Sequence, residues 1–333
     1  MNTQNLVLFA LNATRAFGER VAQRLGVPLS AHEEREFEDG EHKSRPLVSV
    51  RAKDVFIIQS LYGAERQSVN DKLCRLLFFA GSVRDASAQR VNVVIPYLGY
   101  ARKDRKTQPR DPVTTRYIAL LIEAVGVDRV VALEVHNLAA FENAFRCRTE
   151  HLDANRLFAD HLTSVVGASA SIAVVSPDVG GIKRAERFRQ TLAAVRKQEP
   201  TMAFLDKARA KGLLSLGRVT GEVKGRVVVI VDDLISTGNT LLHAAKACLD
   251  GGATQVYAVA THGLFVGDAN RLLAGDEFER IIITDSIVPF RLDPNLAQRR
   301  LVVLSTAGLF AQAIRRIHTG GSVVELLVGR SET

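Results

Sequence analysis

The stretch Arg226 to Leu242, R-V-V-V-I-V-D-D-L-I-S-T-G-N-T-L-L, concentrates the chemistry of this chain. Two adjacent carboxylates, Asp232 and Asp233, precede Ser236, Thr237, Gly238, Asn239 and Thr240, and a helical apolar period starts at Leu241. Backbone N–H groups at a helix N-terminus, joined by small hydroxyls, bind phosphate because they are unpaired donors at the positive end of the helix dipole. Carboxylates beside a phosphate repel it unless they engage sugar hydroxyls or share a divalent cation with it. The inferred ligand is therefore a sugar phosphate. A Walker-type loop is excluded, because that loop ends in Gly-Lys and Ser or Thr and has no acid pair ahead of it.

Other candidate groups are spread along the chain. Tyr97 to Lys106, Y-L-G-Y-A-R-K-D-R-K, places Arg102, Lys103, Asp104, Arg105 and Lys106 just after the apolar run Val91 to Ile95. Ligands of open α/β sheets bind at the carboxyl ends of strands, so these cations suit an anion there. Phe37 to Glu41, F-E-D-G-E, sets an aromatic beside an Asp-Gly turn, which on its own also fits an ordinary hairpin. Glu134 and His136, two apart after Arg129 to Leu133, lie on one side and can hold a cation or orient a phosphate; a structural histidine is the alternative. Asp178 in S-P-D-V-G-G precedes paired glycines that permit close backbone approach to a bound group. Lys207 and Arg209, in D-K-A-R, open a glycine-containing segment without a clear period. That pattern reads as a mobile loop able to close over a reacting phosphate, or as surface charge.

These groups need elements to position them. Val227 to Val231, five β-branched residues in a row, reads as a strand buried on both faces in the middle of a parallel sheet. Strands are predicted at Leu6–Ala10, Val55–Gln59, Val91–Ile95, Arg129–Leu133, Ile172–Val175, Met202–Leu205, Val256–Ala260, Ile281–Ile283 and Leu301–Leu304. Helices are predicted at Asn12–Leu25, Asn70–Ala86, Tyr117–Val125, Ala154–Val166, Lys183–Thr191, Ala269–Leu273 and Leu309–Ile317. Strand, helix, strand in this order means right-handed parallel βαβ units. His42 to Pro46 lacks strand alternation, and the tail after Gly329 reads as frayed. An internal echo pairs Ile57-Ile58-Gln59-Ser60, a long helix and Val91 to Tyr97 with Ile230-Val231-Asp232-Asp233, a long helix and Val256 to His262. The fold class expected is α/β, a degenerate tandem of one domain, with mostly parallel sheets flanked by helices.

A chain of 333 residues exceeds what one core organises, and two domains of roughly 150 residues each, 1–150 and 151–333, are expected. No apolar run reaches the roughly 18 residues of a membrane span, and Met1 to Gly26 has no signal-like block, so a soluble cytoplasmic protein with no membrane partner is expected. Cys74, Cys147 and Cys248 form no C-x-x-C pair, which argues against a disulfide framework or a zinc site and for reduced, mostly core residues. The formal charge of +8 gathers in Arg102 to Arg116 and Lys183 to Lys211, beside the candidate phosphate sites, and not in a tail or aromatic-studded stripe. Small anionic substrates, and not nucleic acid, account for it.

F-E-D-G-E, N-D-K-L, I-P-Y-L-G-Y-A-R-K-D-R-K, His136, S-P-D-V-G-G, D-K-A-R, V-D-D-L-I-S-T-G-N-T-L, A-T-H-G and A-I-R-R-I-H occur in the order found in ribose-phosphate pyrophosphokinases, the phosphoribosyl pyrophosphate synthetases. The chain resembles that family over nearly its full length. The resemblance implies two phosphoribosyltransferase-like domains and transfer of the β,γ-diphosphate of MgATP to the C1 hydroxyl of ribose 5-phosphate, releasing AMP. It implies that Phe37, Asp39, Gly40, Glu41, Arg102, Lys103 and Asp104 hold ATP on the N-terminal side. His136 and Asp178 would stand at the Mg²⁺ and phosphate end. Asp232 and Asp233 would engage the ribose hydroxyls and metal, with Ser236 to Thr240 around the 5-phosphate. Lys207 and Arg209 match the mobile-loop pair that stabilises the transferring group, Arg209 also serving the ribose 5-phosphate side. A homo-oligomer, dimer or hexamer, is implied.

The chain departs from the family pattern at Lys103 (usually Gln), Ser236 (commonly Asp), Asn239 (commonly Gly), Leu61 to Val69 and Glu134 to Phe145. Those last two regions are linked by the resemblance to subunit contacts and regulation. The departures motivate a second reading, a synthetase-like paralogue with a regulatory role or an altered sugar-phosphate or nucleotide specificity. A single-reaction phosphoribosyltransferase would use the same loop without F-E-D-G-E and A-R-K-D.

Overall fold

Val55, Phe56, Ile57 and Ile58 are all fully buried, as a strand covered on both faces must be. They belong to the first of two units in a computed structural model that describes residues 5–206, 209–210, 213–214 and 218–328. The units are residues 1–153 with 306–333, and residues 154–305.

In chain order the first unit contains β1 (Leu6–Ala10), α1 (Arg15–Leu25), β2 (His32–Glu36), β3 (His42–Pro46), β4 (Asp54–Ile58), α2 (Val69–Asp85), β5 (Arg90–Ile95), α3 (Thr114–Ala124), β6 (Arg129–Leu133), α4 (Leu138–Ala144) and β7 (Arg148–Leu152). Its parallel sheet has the order β1-β4-β5-β6-β7. Alternation splits β4: Val55 and Ile57 pack with Leu73, Leu76 and Ala80 of α2, while Phe56 and Ile58 pack with Phe17 and Val21 of α1.

The second unit contains α5 (Asn155–Val165), β8 (Ile172–Ser176), α6 (Ile182–Arg196), β9 (Thr201–Asp206), β10 (Arg209–Ala210), β11 (Leu213–Leu214), β12 (Arg218–Gly221), β13 (Val227–Ile235), α7 (Asn239–Asp250), β14 (Gln255–Gly263), α8 (Ala269–Leu272), β15 (Arg280–Thr284), α9 (Pro294–Arg300) and β16 (Leu301–Leu304). Its sheet runs β12-β9-β8-β13-β14-β15-β16, parallel except for β12 against β9. Val228 and Ile230 face Leu241 and Ala245 of α7, and Val229 and Val231 face Phe158 of α5 and Phe188 of α6. The paths β4-α2-β5 and β13-α7-β14 are built alike, as the sequence echo implies, and each sheet then adds two more parallel strands in succession. The α/β tandem is thus present.

Among the differences from the sequence expectation, three bear on how the units are built. The last helices, α10 (Ala307–Thr319) and α11 (Val323–Val328), fall in the first unit although residues 151–333 were expected to form one domain. The apolar face of α10, Phe310, Ile314 and Ile317, joins the cluster of Leu8, Phe17 and Phe56, and Arg315 donates to the Leu25 carbonyl at 3.2 Å. His42 to Pro46 does form a strand, antiparallel to β2; burial alternates along it, but its inward residues are His42, Ser44 and Pro46, so hydropathy does not show the alternation. The strand β7, R-T-E-H-L, is an edge strand with little apolar content and was not expected. Cys248 is buried, whereas Cys147 is half-buried and Cys74 exposed; all three are free. Among the described residues, no helix is long and apolar enough to cross a membrane.

Candidate active site

After β8 the chain crosses by α6 to β9 on one side, and later returns to add β13 on the other. This is a topological switch point, the place where open α/β sheets leave a crevice beyond their carboxyl ends. Asp178 follows β8, and Asp232 and Asp233 sit near the end of β13, so both acidic motifs lie at the two strands that flank it. Asp178 accepts a hydrogen bond from the Gly181 N–H at 3.0 Å, capping a short 3-10 turn, while the Ser176 hydroxyl donates to the Asp178 carbonyl at 2.6 Å.

β13 runs through the acid pair to Ile235, four residues beyond the apolar run. Asp233 is buried and Asp232 partly so, and the Asp233 N–H donates to Asp232 Oδ1 at 2.9 Å. Burial, then the Asp233 carboxylate, pushes the Asp232 carboxyl well above its ordinary range, against the opposing pull of Arg184. Arg184, on the first turn of α6, brings Nη1 to 3.6 Å from Asp232 and 3.3 Å from Asp233. Two carboxylates held together this way are electrostatically incomplete. Hydroxyl donors or a dication would relieve them.

Ser236 to Gly238 form the turn, and Asn239 and Thr240 open α7. The Val266 N–H donates to the Ser236 carbonyl and the Leu264 N–H to the Ile235 carbonyl, at 3.0 and 2.9 Å, which pins the turn from β14's exit. Gly238 has φ +82°, and a Cβ there would meet Leu273 at 2.8 Å, so only glycine fits. As the cap of α7, glycine supplies no side chain to the helix's first N–H groups. Thr237, Asn239 and Thr240 are exposed, and Thr237 accepts from the Asn239 N–H at 3.4 Å. The equivalent place in the first unit is closed. There Ser68 and Asp71 form a reciprocal capping box at the start of α2. Gln59 and Ser60 are fully buried and bonded to Thr14.

In the first unit, Phe37 to Glu41 turn the β2–β3 hairpin: the Phe37 N–H donates to the Glu41 carbonyl at 2.8 Å and the Glu41 N–H to Asp39 Oδ1 at 3.0 Å. Gly40 carries φ +90°, and the Arg35 guanidinium lies 5.1 Å from the Phe37 ring centre. Arg102, Lys103 and Asp104 follow β5. Arg102 is exposed, Asp104 accepts from Asn137 Nδ2 at 2.5 Å, and Lys103 is engaged by Asp111 and Thr107. His136 is exposed next to Asn137, so the basic segment and the histidine motif are joined through Asn137. His136 and Asp178, the residues expected at the metal, belong to different units. Among the described residues no three His, Cys, Asp or Glu side chains gather to hold a metal ion. Lys207 lies outside the described residues, and of Arg209 only the backbone of β10 is described.

Arg184, Asn137 and Asp111 were not singled out in the sequence. Arg184 sits in the basic helix noted there, but its partners come from a strand 48 residues on, a pairing that only the fold creates.

Residues 6–126 match the N-terminal domain of ribose phosphate pyrophosphokinase, and residues 176–328 match the phosphoribosyl synthetase-associated domain. The chain is 36% identical over 327 residues to the ribose-phosphate pyrophosphokinase of Fusobacterium nucleatum, covering 98% of this chain and 99% of that one. It is 38% identical over 325 residues to the same-named protein of Caldanaerobacter subterraneus, covering 97% and 98%. The crystal structure of phosphoribosylpyrophosphate synthetase from Mycobacterium smegmatis superposes with a TM-score of 0.84 at 31% identity, covering 96% of this chain and 100% of that one.

Proposed function

This chain belongs to the ribose-phosphate pyrophosphokinase family, and we propose that it transfers the β,γ-diphosphate of MgATP to the C1 hydroxyl of ribose 5-phosphate, giving phosphoribosyl pyrophosphate and AMP. The observation that carries this reading is the acid pair Asp232 and Asp233 set directly before an α7 N-terminus that glycine leaves open, at the switch point of the second sheet. The acids accept hydrogen bonds from ribose hydroxyls, and Ser236 to Thr240 take the 5-phosphate with hydroxyl and backbone donors.

Phe37, Asp39, Gly40 and Glu41, with Arg102 and Asp104, hold ATP. Lys207 and Arg209 act on the transferring group, where charge spreads over the equatorial phosphate oxygens and cations matter more than a strong base. The residues present fit magnesium as a cofactor. The buried pair Asp232 and Asp233 would be relieved by a dication, and the lack of a three-residue protein cage among the described residues suits an ion that prefers phosphate and water ligands. When bound, magnesium neutralises phosphate charge; Asp232, Asp233, Asp178 and His136 are the side chains that would attend it. The protein acts in the cytoplasm as a homo-oligomer.

The test is a coupled assay of the purified protein with MgATP and ribose 5-phosphate, following AMP and phosphoribosyl pyrophosphate together. Equal amounts of both support the reading. Neither product, with both substrates bound, overturns it in favour of a regulatory relative or one of altered specificity.

A further inference from the structure

Between β5 and α3, residues 102–110 carry Arg102, Lys103, Arg105, Lys106 and Arg110, five cations in nine positions. Left alone, such a run repels itself and samples many conformations. One carboxylate oxygen closes it. Asp111 Oδ2 accepts from Lys103 Nζ at 2.5 Å, from the Thr107 hydroxyl at 2.7 Å and from the backbone N–H groups of Thr107 and Gln108 at 3.0 and 2.9 Å. Lys103 Nζ also donates to Thr107 Oγ1 at 2.8 Å, which makes the clasp a closed triangle.

The rest of the segment is fastened to its surroundings. The Thr114 and Thr115 hydroxyls of α3 donate to the Tyr100 carbonyl at 3.1 and 3.3 Å and approach the Lys103 carbonyl at 3.4 and 3.3 Å. Asp104 is held by Asn137. The exposed cations left to meet a ligand include Arg102, Arg105 and Lys106. Lys103 and the surrounding donors hold the Asp111 carboxyl well below the usual carboxylate range.

We propose that Asp111 is a positioning residue for the nucleotide: by closing the turn through Lys103 it holds Arg102 and Asp104 in the conformation that binds ATP, and Lys103 acts through Asp111 and not on the nucleotide itself. This rests on the assignment of the segment to ATP made above. A binding loop that is competent only part of the time loses apparent affinity in proportion to that fraction. Ribose 5-phosphate binding at the acid pair is untouched by it, so the effect is confined to one substrate.

The experiment compares wild type, Asp111→Asn, Lys103→Met and the double variant, by steady-state kinetics and by calorimetric titration of the full-length protein with the non-reacting donor α,β-methylene-ATP. Asp111→Asn is expected to raise KM and Kd for the nucleotide about tenfold, with kcat and the KM for ribose 5-phosphate within about twofold of wild type. Lys103→Met is expected to reach the same level, and the double variant to go no further, because both break one unit. Thr107→Ala, which removes two bonds of the clasp and leaves the ion pair, should fall between. An active wild type with unchanged nucleotide affinity in Asp111→Asn, or with additive losses in the double variant, overturns the clasp and leaves the proposed function standing. A wild type that neither binds the nucleotide nor turns over overturns both. If it binds without turnover, the titrations still decide the clasp.

Discussion

Nη1 of Arg184 lies 3.3 Å from Oδ1 of Asp233, and the two side chains are only 12% and 4% exposed. The same nitrogen is 3.6 Å from Asp232, so one guanidinium faces two acids that burial has brought together. Removing one partner of a buried pair is costly because the other charge is left uncompensated; here one carboxyl can take up a proton, which reduces the loss. Arg184→Gln is therefore expected to destabilise the second unit by about 2 kcal/mol, and Asp233→Asn in that background to restore part of it. Urea unfolding of the four proteins of the cycle measures this. An unchanged midpoint in Arg184→Gln would mean that the pair contributes nothing.

The same geometry gives a pH dependence with a definite sign. Burial first, and then Asp233, raises the pKa of Asp232 in the folded state from 3.8 to about 8. A folded state that binds the proton more tightly than the unfolded chain is favoured at low pH, so this contribution is full below about pH 4 and is lost as pH rises through about 8. The Tm of the wild type should fall relative to that of Asp232→Asn between pH 5 and about 8. Thermal scans across that range check it, and a constant difference would show that the acid pair is fully ionised throughout.

The sequence exposes the centre of this site and hides its supports. Val227 to Val231 can only be a doubly buried strand, and an acid pair followed by hydroxyls and glycine states its chemistry locally, so both are visible before any fold is known. Lys103 and Asp111 are eight apart in a loop without periodicity, and nothing local says that one carboxylate oxygen gathers four donors. Arg184 is one basic residue among several until α6 packs over β13. The strands β3 and β7 escape notice because H-K-S-R-P and R-T-E-H-L pair at a hairpin and a sheet edge, where backbone bonds do not require apolar side chains on both faces. Periodicity reveals α10 as a helix but does not say which sheet it covers.

The role proposed for Lys207 carries the most direct consequence for turnover. In diphosphoryl transfer a cation that meets the charge developing on the migrating group acts mainly in the transition state. Lys207→Ala is expected to lower kcat about 100-fold or more while ATP binding is kept, since the site proposed for ATP is the first unit's hairpin and basic segment. Single-turnover kinetics beside a nucleotide titration separates the two effects. Near-normal turnover would remove Lys207 from the mechanism.

The placement of α10 has a consequence for stability that distinguishes the two units. Phe310 is fully buried and meets Phe17 of α1 edge-on, ring centres 5.5 Å apart, in the cluster that backs β1 and β4. His318, near the end of the same helix, contacts Asp54 at 2.7 Å, and Asp54 also holds Arg90 and Asn92. α10 thus fills a face of a sheet whose strands were laid down at the start of the chain. Truncating a buried phenylalanine costs about 3–5 kcal/mol, through lost burial and the cavity left behind. For Phe310→Ala that loss should fall on the first unit alone. Native-state hydrogen exchange would then show amides of β1 and β4 losing protection while those of β13 and β14 keep theirs. The reverse pattern, with loss confined to β15 and β16, would mean that the C-terminal helix serves the second unit, as the sequence order alone suggests.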